Sequence, residues 1–222
     1  MTIKLWYLIA VLAVGFLLPH IPVVGKFFNI INTAIHELGH ALMALVTNGE
    51  VMKIRLLKDT SGTTTTKSKN KFSAILVSLA GYPFAASVAW LCFYLISKEV
   101  CSAMLIALSL LFLVMLVLWI RNWYGALWVL LFCTLNGFLI YYGNPQYIFW
   151  AALFYAVVML AESVHSALVL LYISIISPHE AGDAANLMAA SGIPSVVWSL
   201  LFVGYTGWVT FKVVQLLIPI VV

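Results

Sequence analysis

Charged residues are scarce in this chain. Asp, Glu, Lys and Arg make up 8% of its 222 residues and hydrophobic residues make up 64%, whereas an ordinary soluble domain carries about 25% charged residues. So few charges cannot solvate the surface of a soluble enzyme, and the composition excludes that class. The mean hydropathy of +1.11 indicates instead an integral, multi-pass membrane protein. The length predicts a single membrane-embedded domain over residues 1–222.

Cysteine is also rare. The chain contains three cysteines and no Cys-x-x-Cys spacing, which argues against a disulfide framework and against a cysteine-based metal site. Eleven basic residues outnumber seven acidic ones, but in a membrane protein such an excess reflects topology and contact with lipid. We therefore expect no nucleic-acid partner.

Only one long polar stretch, about residues 47–72, interrupts the hydrophobic runs. A spanning helix needs about 20 mostly apolar residues, and the first run lacks a small-x-small cleavage site, so we expect it to be retained as a span. The predicted fold class is an all-α polytopic membrane protein with about six to seven transmembrane helices. The candidate spans are 3–18, 27–46, 73–97, 101–120, 123–142, 147–176 and 194–217.

The polar stretch predicts the orientation of the chain in the membrane. It holds six of the eleven basic residues, and basic loops of this kind are retained in the cytoplasm. Because two candidate spans precede it, the N-terminus is expected in the cytoplasm as well. The six residues are Lys53, Arg55, Lys58, Lys67, Lys69 and Lys71.

The same stretch also predicts local structure. The alternation in EVMKIRLLK is typical of a half-buried strand with Met52, Ile54 and Leu56 on its buried face. DTSG at 59–62 predicts a turn, and the β-branched run TTTT at 63–66 predicts a second strand, so we expect a short β-hairpin. The alternative is a solvated basic loop whose only role is topology.

The segment NTAIHELGHALMALV places three ionisable groups within five residues of a hydrophobic run. Residues three and four apart share a helix face, so His36 and His40 stack one turn apart with Glu37 beside them. Two imidazoles at that spacing can bind one zinc ion, and the glutamate can take a proton from bound water. Because each ionisable group inside a bilayer costs roughly 2.5 kcal/mol or more unless paired, three of them together indicate a function. Gly39 predicts close approach of another backbone.

A catalytic zinc ion usually has three protein ligands, and two clusters could supply the third. Glu162 and His165 form one pair in the middle of a predicted span, at a depth that would match the histidines. SPHEAGDAANL at 177–187 forms the other, where a predicted helix start places His179, Asp183 and Asn186 on one face. Spacing alone does not decide between the two clusters.

The chain contains, in this order, HELGHAL at 36–42, DTSGTT at 59–64, AGYP at 80–83, RNWYG at 121–125 and GDAANLMAASGIP at 182–194. Taken together, these motifs resemble the site-2 protease-like zinc metalloproteases, specifically their compact branch without PDZ or CBS domains. In that family the third ligand is an aspartate from a late helix, which corresponds to Asp183. The better-studied members carry an Asn-Pro and Asp-Gly pattern there, whereas here Gly182 precedes Asp183 and the nearest proline is Pro178. The resemblance also implies an active site within the membrane that opens to the cytosol.

The resemblance implies a zinc-dependent intramembrane endopeptidase, in which His36, His40 and Asp183 hold one Zn²⁺ per chain. Glu37 would then be the catalytic base. The expected partners are the lipid bilayer and a transmembrane or membrane-proximal protein substrate, and the expected location is the cell membrane of a bacterium.

Further residues and functions follow as expectations. Asn122 and Asn186 are candidates for stabilising the transition state or for supporting the ligands from behind. Two other functions stay open at this point. One is a zinc-binding membrane scaffold without catalysis, and the other is a metal or proton transporter that uses Glu162 and His165.

Overall fold

Seven α-helices and one β-hairpin follow one another in the part of the chain that the computed structural model describes, residues 24–217 with the isolated positions 13, 17 and 21. The strands are β1 (Glu50–Leu56) and β2 (Gly62–Lys67), and a 3₁₀ turn covers Pro178–Glu180. The helices are α1 (Val24–Val46), α2 (Lys71–Ser97), α3 (Cys101–Leu118), α4 (Trp123–Tyr142), α5 (Pro145–Ile176), α6 (Gly182–Ser191) and α7 (Ser195–Leu217).

Five of these helices are long and apolar enough to cross a membrane: α2, α3, α4, α5 and α7. This finding confirms the polytopic membrane protein predicted from the composition. α1 has 23 residues but is not among the five, because Asn, His and Glu residues interrupt its apolar run. The predicted span over residues 3–18 lies outside the described residues, apart from positions 13 and 17.

α1 and α2 pack closely at Gly39, as the sequence predicts. A Cβ atom at this position would lie 2.8 Å from the Cβ of Phe84 and 3.1 Å from the carbonyl oxygen of Ala80. A larger residue would therefore push the two helices apart, which is the usual role of small residues where membrane helices meet. The contact sets the middle of α2 against the histidine-bearing face of α1.

The predicted hairpin is confirmed, with one correction. β1 and β2 pair in antiparallel fashion, and the side chains of Ile54 and Leu56 are fully buried. Met52 was expected on the same buried face but is 60% exposed. The register slips within β1 and leaves Met52 as the extra residue of a bulge, which turns its side chain away from the core.

The turn of the hairpin is attached to α1. The Asp59 carboxylate accepts hydrogen bonds from the hydroxyl and the backbone N–H of Ser61, and these bonds lower the pKa of Asp59. Thr60, between these two residues, has a left-handed backbone (φ 72°). Its carbonyl oxygen accepts a 2.7 Å hydrogen bond from the Thr33 hydroxyl. The hairpin therefore runs along α1 instead of projecting from it.

The other edge of β1 is bound by the connection between α3 and α4. Ile54 donates its N–H to the Trp119 carbonyl at 2.7 Å and accepts from the Arg121 N–H at 3.1 Å. The side-chain amide of Asn122 donates to the Leu56 carbonyl at 2.7 Å and accepts from the Leu56 N–H at 3.2 Å. β1 thus lies between β2 and this connection, so the hairpin is attached to the helices at its turn and along β1.

The buried hydrophobic side chains form two clusters. The larger cluster joins α1, the hairpin, α2 to α5 and Val213 of α7, and it includes Ile35. The smaller cluster joins α5, α6 and α7. It consists of Leu170, Ala181, Ala184, Leu187 and Phe202.

Candidate metal centre and active-site cavity

The ring nitrogens of His36 and His40 meet on one face of α1, because the two residues lie one helical turn apart. Their Nε2 atoms are 3.0 Å apart. The Oδ2 atom of Asp183 lies 3.2 Å from each of them. Among the described residues, these three side chains form the group of His, Cys, Asp and Glu that could hold a metal ion.

Both imidazoles are oriented by residues of α2. The Nδ1 atom of His40 lies 2.7 Å from the carbonyl oxygen of Val77. Since a carbonyl oxygen only accepts, the proton sits on Nδ1 and the Nε2 lone pair faces the group. The ring of His36 makes an edge-to-face contact with the ring of Tyr82, with 4.6 Å between the ring centroids, and Tyr82 in turn stacks on Phe202. α2 therefore presets the direction of both nitrogen atoms.

Gly81 provides the space that the two rings occupy. A Cβ atom at this position would lie 2.5 Å from Cε1 of His36 and 2.6 Å from Nε2 of His40. Contacts that short do not occur for real Cβ atoms, so any side chain here would displace the imidazoles. The position accepts only glycine if both nitrogen atoms are to converge.

Asp183 reaches the histidines from the first turn of α6. The sequence pattern predicted one helix starting near Ser177, but the structure corrects this expectation. A 3₁₀ turn ends at Glu180, and Gly182, the first residue of α6, redirects the chain with a left-handed φ of 43°. This break separates exposed His179 from Asp183, which therefore do not share a helix face.

The donor set fits a zinc ion. Two imidazole nitrogens and one carboxylate oxygen are ligands of the kind found in catalytic zinc sites, which leave a fourth position for water. Ligands at about 2.0–2.1 Å from a tetrahedral ion lie about 3.3 Å from one another. The observed separations of 3.0 to 3.2 Å are close to that value.

Glu37 lies beside this group and is held by β2. Its side chain is 5% exposed, and its Oε2 atom accepts a 2.6 Å hydrogen bond from the hydroxyl of Thr64. Gly62 lies against the other oxygen, since a Cβ there would be 2.6 Å from Oε1. The hairpin thus contacts both oxygens of the carboxylate.

These groups line one cavity of about 380 Å³ between α1, β2, α2 and α6. Asn186, one turn after Asp183, is also on its wall. Its lining includes His36, Glu37, His40, Gly62, Thr64, Thr66, Tyr82, Asp183 and Asn186.

The structure places the other predicted site residues elsewhere. Asn122 does not line this cavity, because its amide is bonded to the backbone of Leu56. Glu162 and His165 lie on α5 and are not part of the candidate metal-binding group, and neither is His179. Of the alternatives for a third ligand, geometry therefore favours Asp183.

Comparison with known proteins bears on this arrangement. A family model described as Peptidase M50B-like matches residues 7–213. The chain belongs to the Peptidase M50B-like family. This match confirms the resemblance to site-2 protease-like proteins and makes the chain a member of a family of membrane metallopeptidases, which are typically zinc-dependent. No curated protein and no solved structure gives a significant match.

Sequence reasoning missed several residues that shape the site of this M50B-like chain. Thr64 and Gly62 belong to DTSGTT, and Gly81 belongs to AGYP, two motifs on which the resemblance rests, but neither motif shows what its residues contact. Val77 contributes only its carbonyl oxygen. No side-chain pattern signals a contact made by the backbone.

Proposed function

We propose that this protein is a zinc-dependent intramembrane endopeptidase. The observation that carries the proposal is the convergence of three donor atoms, 3.0 to 3.2 Å apart, in one cavity with a buried glutamate. His36, His40 and Asp183 would hold one zinc ion and leave a position for water.

A bound zinc ion would supply Lewis-acid chemistry, lowering the pKa of a coordinated water towards about 7 and polarising a carbonyl oxygen. Glu37 accepts the proton of the attacking water and later passes it to the leaving amine. Its burial shields this transfer from bulk water. Asn186 is the candidate donor for the developing oxyanion, because its amide lines the cavity one turn from Asp183.

The substrates we propose are transmembrane or membrane-proximal proteins, because one wall of the cavity is α2, a candidate spanning helix of a membrane protein. The hairpin beside the cavity carries Lys53, Arg55, Lys58 and Lys67. By the positive-inside rule this side faces the cytoplasm, which we take to be that of a bacterial cell. The active site would then open to the cytosol.

β2 offers an edge for an unwound substrate segment. The backbone N–H and C=O groups of Ile54 and Leu56 point away from β2, towards the α3–α4 connection. In an antiparallel pair, the residues opposite them on β2 then point their own backbone groups away from β1. The opposite residues are Thr64 and Gly62, and both line the cavity. Their backbone N–H and C=O groups are therefore not used in pairing with β1. A substrate carbonyl could bind there by strand addition.

Strand addition at this edge can be tested at Thr66. Because backbone groups alternate along a strand, the Thr66 N–H also points away from β1. Thr66→Pro removes that donor, whereas Thr66→Val changes only the side chain. We expect the proline variant to raise KM about tenfold with zinc content intact, and the valine variant to resemble wild type. Equal KM values for both variants would exclude strand addition at this edge.

The proposed function is tested by pairing zinc analysis of the purified protein with cleavage of single-span substrates in proteoliposomes. Glu37→Gln should keep one zinc per chain and lose cleavage by at least about a hundredfold, because only the base is removed. Glu162→Gln should cleave normally, whereas a transporter that uses Glu162 would show the reverse pattern. Stoichiometric zinc without cleavage of any substrate would favour a non-catalytic zinc-binding scaffold.

A further inference from the structure

The hydroxyl of Thr64 contacts Glu37 twice. It lies 2.6 Å from Oε2 of the carboxylate and 3.1 Å from the backbone carbonyl of the same residue. A hydroxyl has one hydrogen to donate. The contact to Oε2 has the usual length of an O–H···O hydrogen bond, whereas the contact to the carbonyl is longer than usual. The hydrogen is therefore directed at Oε2.

The hairpin fixes the position of this hydroxyl. Side chains alternate along β2, with Thr64 and Thr66 half-buried towards α1, and Thr63 and Thr65 exposed on the other side. Thr64 is paired with Ile54, whose backbone is bonded to the α3–α4 connection. The hydroxyl is thus carried by a strand that is attached on its far side to the helical bundle.

The two oxygens of Glu37 therefore have different surroundings. Oε2 is taken by Thr64, whereas Oε1 faces Gly62, which has no side chain and lies on the cavity wall. We propose that Thr64 is a positioning residue for the base: it holds Oε2 and leaves Oε1 as the oxygen that takes the proton. This inference rests on the proposed function for its catalytic consequence, but the contact can be tested separately.

The catalytic test compares Thr64→Val, which has nearly the same shape without the hydroxyl, with Thr64→Ser, which restores it. Thr65→Val on the exposed face of the same strand is the matched control. We expect Thr64→Val to lower kcat about 10- to 100-fold, the usual effect of losing a supporting contact at a metal site. KM and zinc content should stay unchanged, Thr64→Ser should return to within about threefold of wild type, and Thr65→Val should match wild type.

Two results would overturn the inference. One is a kcat for Thr64→Val within about twofold of that for Thr65→Val. The other is failure of Thr64→Ser to rescue, which would mean that the methyl group is what matters. If Thr64→Val does not fold, Thr64→Ala against Thr64→Ser makes the same comparison.

A second measurement does not depend on proteolysis. The melting temperatures of zinc-loaded wild type, Thr64→Val, Glu37→Ala and the double variant form a cycle that isolates the coupling between the two side chains. We expect the loss caused by Thr64→Val to shrink by at least half when Glu37 is already alanine. An equal loss in both backgrounds would refute the contact, whereas coupling without any cleavage by wild type would refute only the proposed peptidase function.

Discussion

The two sides of the proposed metal site are built differently. α1, which carries His36 and His40, has 12 buried residues out of 23 and belongs to the larger hydrophobic cluster. α6, which carries Asp183, has ten residues, of which only Ala184 and Leu187 are buried. The nitrogen atoms are thus supplied by the interior of the bundle, and the oxygen atom by a short helix at its margin.

The orienting contacts differ in the same way. The imidazole of His40 donates to the backbone of Val77, and that of His36 lies against Tyr82. Within the described part of the chain, the Asp183 carboxylate has only the two imidazoles as ionic or hydrogen-bonding partners. The α1 side is therefore pre-organised by the fold, whereas the position of Asp183 depends on the smaller hydrophobic cluster and on what the site binds.

The largest expected effect comes from removing a donor on each side. His40→Ala should abolish both stoichiometric zinc and cleavage, because the remaining pair spans two helices. Asp183→Ala should abolish cleavage but retain weak zinc binding by the pre-organised imidazole pair. Metal analysis with chelator competition measures both, and exposed His179→Ala serves as the control. Equal zinc affinities for the two variants would remove the distinction between the sides.

Gly81→Ala should act on the α1 side alone. Its methyl group would collide with both imidazoles, so we expect zinc affinity to fall about 10- to 100-fold. Gly207→Ala is the matched control, since a Cβ there meets nothing within 4 Å and the gain in helix propensity is the same. Unchanged zinc affinity in Gly81→Ala would show that the imidazoles are less fixed than their contacts indicate.

The smallest effect should separate stability from metal binding. Ile35→Ala and Leu187→Ala each empty a fully buried position, a change that costs about 2–5 kcal/mol in a well-packed core. In the larger cluster, Ile35→Ala should lower the melting temperature more. In the smaller cluster, Leu187→Ala should loosen α6 and lower zinc affinity a few-fold. Melting curves and zinc titrations on both variants test this, and the opposite ranking would contradict it.

Much of the fold followed from the sequence because its signals are local. Hydrophobic runs predicted the spanning helices to within a few residues, and alternation predicted the hairpin. The exposed position of Met52 could not be predicted, since a bulge is set by pairing with the partner strand. The break before α6 was missed for a similar reason, because the capping pattern at Ser177 is equally compatible with a short 3₁₀ turn.

One part of the site, the part that lies within a single helical turn, follows from the sequence alone. In HELGH, the spacing of His36, Glu37 and His40 puts three groups on one region of α1 wherever that helix packs, because the geometry of a helix is local. Asp183 entered through the resemblance, since spacing left Glu162 and His165 equally open. The three-dimensional structure was needed to find which distant carboxylate meets the imidazoles, which hydroxyl contacts Glu37, and that the Asn122 amide is bonded to the hairpin. Those outcomes depend on how separate elements pack, and no local pattern encodes that.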